Sequence, residues 1–192
     1  IRVYDHEVQG RTAITPLQGK VGLASHGDAS VLKPLEGSFK GLAIAVSFNP
    51  RSSEVDPYNG GAGIIDEICR NLAAVGAMPD SLTDCLNFGN PEKPEHLYDF
   101  EEVVRGMGDV ARALKLPFPS GNVSFYNESQ ISVVPPTAVV LGCGIVKDLR
   151  KCVTTDLKAA GNLLYQIGET RSEMGGSEYY ALNGGVSPKT PP

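Results

Sequence analysis

Ser81 to Glu95 reads SLTDCLNFGNPEKPE, and Ser120 to Glu128 reads SGNVSFYNE. In each, a strand-like stretch runs into a Gly/Asn turn that carries an oxygen-bearing side chain: Asp84 in the first, Asn122 and Ser124 in the second. Gly and Asn accept the backbone angles of tight turns, so they mark where a strand stops. Between the two stretches Leu97, Phe100, Val104, Met107, Val110 and Leu114 recur at three- and four-residue intervals, which predicts one apolar helical face beginning after Pro94. Strand, helix and strand form the unit around which the fold is read. Neither turn has the spacing of a P-loop.

Working outward, GLAIAVSF (Gly41 to Phe48) is a continuous apolar run ended by Asn49-Pro50 and predicts a buried strand. The following EVDPYNGGAG (Glu54 to Gly63) reads as a turn-rich loop. It feeds a helix whose face is Ile64, Ile68, Leu72 and Val75, closed by Gly76. The pair Gly60-Gly61 then lies directly before that helix, either as exposed amides favouring an anion or as a plain helix start. Ser81 to Phe88, TAVVLGCGIV (Thr137 to Val146) and Asn162 to Ile167 read as strands, and residues 1–40 as short strands joined by loops. Two helices covering one face of a sheet predict an α/β or α+β sandwich. Lys147 to Ala160 is charged and lacks a period, which sets a domain boundary near residue 150 and divides the chain into 1–150 and 151–192.

A chain of 192 residues holds one complete domain, with room for the beginning of another. It starts at Ile1 and stops at the tail Ser187 to Pro192, so the expectation is a piece of something longer. Lys and Arg total 17 against 22 Asp and Glu, a formal charge of −5, with the basic residues scattered; this argues against a nucleic-acid partner. No apolar run approaches the roughly 20 residues of a membrane helix, and no signal peptide is evident. The expectation is a soluble, cytoplasmic protein with no membrane partner. Cys69, Cys85, Cys143 and Cys152 have no C-x-x-C spacing and lie apart from His6, His26 and His96. They are read as reduced, packed thiols without chemistry, and the histidines as surface or packing residues.

Asp84 interrupts an apolar alternation between Leu82 and Leu86. Facing a cleft, its carboxylate would help bind Mg-ATP, because Mg²⁺ takes a few protein oxygens together with phosphate oxygens. Facing its own chain, it would cap a neighbouring turn. In the second turn Gly121 allows close backbone approach, Asn122 offers an amide oxygen and Ser124 a hydroxyl. If the segment is extended, the side chains of Asn122 and Ser124 point the same way. Ordinary turn chemistry accounts for the same residues equally well.

The segments YDHEVQGRT (Tyr4 to Thr12), DPYNGG (Asp56 to Gly61), NLAAVGA (Asn71 to Ala77), LNFGNPEKPE (Leu86 to Glu95), SGNVSFYNE and GGSEYY (Gly175 to Tyr180) occur in this order across almost the whole chain. In this the sequence resembles the synthetase subunit of the phosphoribosylformylglycinamidine synthase family, with LNFGNP and GNVS-YNE its most specific elements. The resemblance implies an α+β domain like the N-terminal domain of aminoimidazole ribonucleotide synthetase, followed by the truncated start of a second α+β domain. It implies that Asp84 and Gly121 contact ATP, that Asn122 binds Mg²⁺ and that Ser124 contacts the phosphoribosyl substrate, with no catalytic proton donor among them. Asp28, in SHGDASVL, is similar to a metal-holding Gly-Asp-Asp-Ala element of related enzymes but lacks one Asp.

The activity implied is that of an ATP-dependent carbon–nitrogen ligase in purine biosynthesis with glutamine as amide donor. ATP activates the amide oxygen of formylglycinamide ribonucleotide, and glutamine-derived ammonia displaces phosphate to leave the amidine. The family's synthetase is built from two similar halves, the first carrying the catalytic histidines, and this chain resembles part of the second. It is therefore expected to be inactive alone. Implied partners are the remaining synthetase domains, a glutaminase subunit and a small bridging subunit. An alternative is a non-catalytic structural or nucleotide-storage module of the same enzyme. A paralogous ATP-dependent synthetase or kinase is disfavoured by LNFGNP and GNVSFYN.

Overall fold

The computed structural model describes residues 4, 6–20, 22–184 and 190–191; Ile1 and most of the C-terminal tail lie outside the described residues. In chain order the elements are β1 (Thr12–Ile14), β2 (Leu17–Gln18), β3 (Ser25–His26), β4 (Ser30–Leu32), β5 (Gly41–Ser47), α1 (Pro50–Val55), α2 (Pro57–Ala74), β6 (Met78–Asn87), α3 (Pro94–Leu114), β7 (Ser120–Ser124), β8 (Thr137–Val146) and α4 (Glu178–Asn183). Six strands form one sheet in the order β1-β4-β5-β8-β6-β7, and β2 with β3 forms a separate small ribbon. Every neighbour in the large sheet is antiparallel except β6 and β7, which run parallel. Parallel neighbours need a crossover, and α3 supplies it. The α+β architecture expected from the sequence is the one found.

One face of the sheet is buried by helices. Along β8, Ala138, Val140, Gly142, Gly144 and Val146 are buried, and the residues between them are half-buried or exposed. β5 alternates the same way through Gly41, Ala43, Ala45 and Ser47. Against this face pack Ile64, Ile65, Ile68 and Leu72 of α2 and Val103, Met107 and Ala111 of α3, in one continuous core with Leu82 and Leu86 of β6. Each fully buried Ile or Leu contributes about 1.5–3 kcal/mol from apolar burial. The side chains on the sheet face that meets α2 are small because the helix comes close: a Cβ on Gly142 would fall 2.2 Å from Ile68 Cγ2.

The segment Glu54 to Gly63, expected to be a loop, is helical. Asn49 caps α1 by accepting from Ser52 N at 3.0 Å, and Asp56 caps α2 by accepting from Asn59 N at 3.0 Å. Pro50 and Pro57 each occupy the first turn, where a missing N–H costs nothing. Gly60 and Gly61 therefore lie inside α2, and Gly60 N already bonds Asp56 O at 2.8 Å. They open no anion site. Their role is contact: a Cβ on Gly61 would sit 2.2 Å from Val103 O, and one on Gly106 of α3 would sit 2.0 Å from Tyr58 O. The glycines that looked like loop formers let α2 and α3 meet backbone to backbone. Gly76 does close α2, at φ +89°.

After β8 the short 3-10 helix Leu149–Lys151 leads into an irregular path. Asn162 to Ile167, expected to be a strand, is not one. A strand must pair its backbone groups, and this segment joins neither sheet; Leu164 is 80% and Ile167 99% exposed. The element α4 was not foreseen. It docks through Gly176, at φ +73°, where a Cβ would lie 2.5 Å from Ser52 N, and through an Arg51–Glu178 ion pair. Among the described residues no helix is long and apolar enough to cross a membrane.

Candidate functional site

β6 and β7 pair in register from Thr83↔Ser120 through Asp84↔Gly121, Cys85↔Asn122 and Leu86↔Val123 to Asn87↔Ser124. The four residues singled out from the sequence thus stand on two adjacent strands. Ser124 lies at the carboxyl end of the parallel pair, the end where α/β sheets present ligands. The pairing brings the residues together but divides their side chains. Asp84 alternates with Leu82 and Leu86 and so shares the helix-covered face with Gly121. Asn122 and Ser124 share the other face with Cys85 and Asn87, and the Asn122 amide nitrogen lies 4.0 Å from Cys85 Sγ.

Asp84 is half-buried. Burial pushes its carboxyl pKa up, and the Asn122 backbone N–H, donating to Oδ1 at 3.3 Å, opposes that shift without cancelling it. Gly121 is a steric necessity here, since a Cβ would stand 2.6 Å from Asp84 Oδ1. Asp84 therefore caps backbone across the strand pair, as one of its two sequence readings expects, and its carboxylate lies beside the exposed edge strand β7. Asp28 is elsewhere, accepting from Thr155 Oγ1 at 3.1 Å in front of β4, which β5 and β8 separate from β6.

The two turns close on one another. Phe88, after β6, and Phe125, after β7, both pack edge-on against Phe100 of α3, at centroid distances of 5.3 and 5.0 Å. Tyr126 takes a left-handed conformation, φ +60°, and its N–H bonds Gly89 O at 3.0 Å. Asn127 N bonds Phe88 O at 3.1 Å. Glu128 accepts from Lys93 Nζ at 2.8 Å and from Asn90 N at 3.3 Å, with His96 Nε2 3.9 Å away. The Lys93 hydrogen bond holds the Glu128 carboxyl below its ordinary pKa. Asn127, Glu128, Lys93 and His96 were missed as site-building residues. The available signal was the Ser124-x-x-Asn127 spacing, which suits a side-chain-bonded turn. His96 is thus a packing residue whose Nε2 lies 3.9 Å from Glu128 Oε2.

Cys85 departs from the expectation of packed thiols: it is exposed beside Asn122, whereas burial raises the thiol pKa of Cys69, Cys143 and Cys152. Among the described residues no group of three or more His, Cys, Asp or Glu could hold a metal ion. Mg²⁺ that arrives with a nucleotide needs only one or two protein oxygens, and the Asn122 amide oxygen is the one the sequence expectation names. A cavity of about 640 Å³ lies apart from the four residues, between Phe48, Arg51, Glu67 and Ser177.

Residues 26–146 match the family model described as AIR synthase related protein, N-terminal domain. The chain is 47% identical over 194 residues to the phosphoribosylformylglycinamidine synthase subunit PurL of Methanothrix thermoacetophila, an alignment covering 97% of this chain and 24% of that relative. The PurLQS structure from Thermotoga maritima superposes with a TM-score of 0.67 at 27% identity, covering 80% of this chain and 24% of the other. T. maritima PurL complexed with FGAR gives 0.64 at 28%, covering 78% and 22%, and the same protein complexed with ATP gives 0.62 at 25%, covering 74% and 22%. The chain spans about a quarter of the length of the curated relatives it matches.

Proposed function

The chain belongs to the family of AIR synthase related proteins, and on that premise we propose that it forms part of a phosphoribosylformylglycinamidine synthase, in purine biosynthesis. The observation that carries this reading is the 47% identity to a PurL subunit across 97% of the chain. Residues 1–150 are the ATP-binding-type N-terminal domain of the second half, and 151–192 begin its partner domain. The family match over 26–146 and the exposed apolar residues of 162–167 support that division.

In the reaction the γ-phosphoryl group of ATP passes to the amide oxygen of formylglycinamide ribonucleotide. Ammonia adds to the activated carbon, and phosphate departs to leave the amidine. Phosphoryl transfer of this kind depends on positioning and charge neutralisation, and this chain's residues position. Asp84 and Gly121 contact ATP, the Asn122 amide oxygen would hold Mg²⁺, which would supply charge neutralisation, and Ser124 contacts the phosphoribosyl substrate. The ammonia comes from glutamine through a glutaminase subunit joined by a small bridging subunit, and the remaining synthetase domains complete the site. The T. maritima complexes with ATP and with FGAR support both ligand classes for this fold.

The test is phosphate release from ATP by the full-length synthetase carrying this chain, supplied with formylglycinamide ribonucleotide and ammonia. Release matching amidine formation is expected. Release with thiamine monophosphate or selenide, and none with formylglycinamide ribonucleotide, would assign the chain to a paralogous activity instead.

A further inference from the structure

The Asn127 side chain fixes what Ser124 can offer. Its Nδ2 lies 3.0 Å from Phe88 O and 2.9 Å from Ser124 O. A primary amide has two hydrogens, and these two carbonyls take both. The reverse orientation of the amide would set its oxygen against two carbonyl oxygens, so the orientation is determined by its surroundings. Ser124 Oγ lies 3.2 Å from Asn127 Oδ1 and 3.1 Å from Nδ2. With the Nδ2 hydrogens engaged, the hydroxyl must direct its own proton to Oδ1. The Asn127 backbone is held by its N–H bonding Phe88 O at 3.1 Å and its carbonyl accepting from Val134 N at 2.9 Å, and the two Nδ2 bonds hold the side chain. The Ser124 hydroxyl is left with acceptor lone pairs alone.

We propose that Ser124 binds a hydrogen-bond donor of the substrate, a ribose hydroxyl or an amide N–H, and not its phosphate, with Asn127 as the residue that positions the hydroxyl. Phosphate oxygens at neutral pH are acceptors, and an acceptor can use this hydroxyl only by breaking its bond to Asn127 Oδ1, whereas a donor meets lone pairs already facing it. The inference rests on the reading of Ser124 as a substrate contact.

The experiment compares two ligands in the full-length synthetase: formylglycinamide ribonucleotide and its dephosphorylated riboside, the latter measured as a competitive inhibitor. Ser124→Ala is expected to weaken both by a similar factor, about three- to tenfold for one neutral hydrogen bond, and to leave the KM for ATP unchanged. Weakening of the ribonucleotide with the riboside unaffected would assign Ser124 to the phosphate and overturn the proposal. Unchanged affinity for both would remove Ser124 from the substrate site altogether, a failure of the underlying reading that is separately recognisable. Asn127→Ala should reproduce the Ser124→Ala loss, and the double variant should be no weaker than either; additive losses would overturn the positioning role. The two-ligand comparison in Ser124→Ala decides the donor assignment whether or not Asn127→Ala folds.

Discussion

Gly121 stands directly across the β6–β7 pair from Asp84, and a methyl group at 121 would fall 2.6 Å from Asp84 Oδ1. Gly121→Ala therefore displaces the carboxylate and breaks its bond from Asn122 N. In the full-length synthetase we expect Asp84→Ala to raise the KM for ATP or lower turnover at least tenfold, about 1.4 kcal/mol. Gly121→Ala should do likewise. The double variant, which has no clash, should match Asp84→Ala alone, and a double variant twice as impaired on the logarithmic scale would show that Gly121 acts independently.

Burial raises the Asp84 pKa, so the folded protein holds that proton more firmly than the unfolded chain. The stability this lends is fully present below the ordinary Asp value of about 3.9 and is lost as pH rises through the folded value. At pH 7 the ionised Asp84 is then less favourable to the fold than its neutral form. Asp84→Asn should raise the Tm at pH 7, and the gain should shrink to nothing as pH is lowered past the ordinary Asp value. Thermal unfolding across that range checks it; a lower Tm for the variant at pH 7 would contradict the sign.

Glu128 has the opposite sign. Its pKa is lowered chiefly by the Lys93 hydrogen bond, so its contribution is present above the ordinary Glu value of about 4.3 and disappears as pH falls through the folded value. Glu128→Gln should lower the Tm at neutral pH, with the difference from the unsubstituted protein closing in acid. A pH-independent difference would mean that packing, and not the ion pair, fastens the turn after β7 to the start of α3.

The glycines of α2 and α3 make a paired test. Gly61→Ala and Gly106→Ala push a methyl into backbone carbonyls that cannot rotate aside, and each should cost about 1–3 kcal/mol or more. Gly63→Ala, in the same helix with nothing within 4 Å of its Cβ, should stabilise by about 0.5–1 kcal/mol. Denaturant titration of the three variants separates contact glycines from helix-weakening ones.

What the sequence made legible followed from burial on a repeating pattern. Thr137–Val146 and Gly41–Ser47 came out as strands because both sit inside the sheet with apolar residues on both faces, and α3 because its apolar spacing is long. DPYNGG misled because a glycine pair signals a turn locally and close packing tertiarily, and only the position of Val103 decides between them. Asn162 to Ile167 has strand composition but no partner strand among the described residues, and pairing is not a property of the segment itself. At the site, alternation placed Asn122 and Ser124 on one face; it could not reveal that Asp84 faces the other way, since that depends on the β6–β7 register. Asn127 was invisible because its importance lies in which carbonyls surround its amide.

The parallel β6–β7 pair joins Thr83 to Ser120 only after the chain has passed through all of α3. Closing that loop costs entropy before any strand contact compensates it, so β7 is expected to be added late, onto a helix already docked. Until then Asp84 sits on an unpaired strand edge, the kind of edge that invites association with other chains. A ligand that touches both strands binds none of those earlier species. The free energy of such a ligand would fall wholly on the finished fold and would favour it over every species in which β7 is still unpaired.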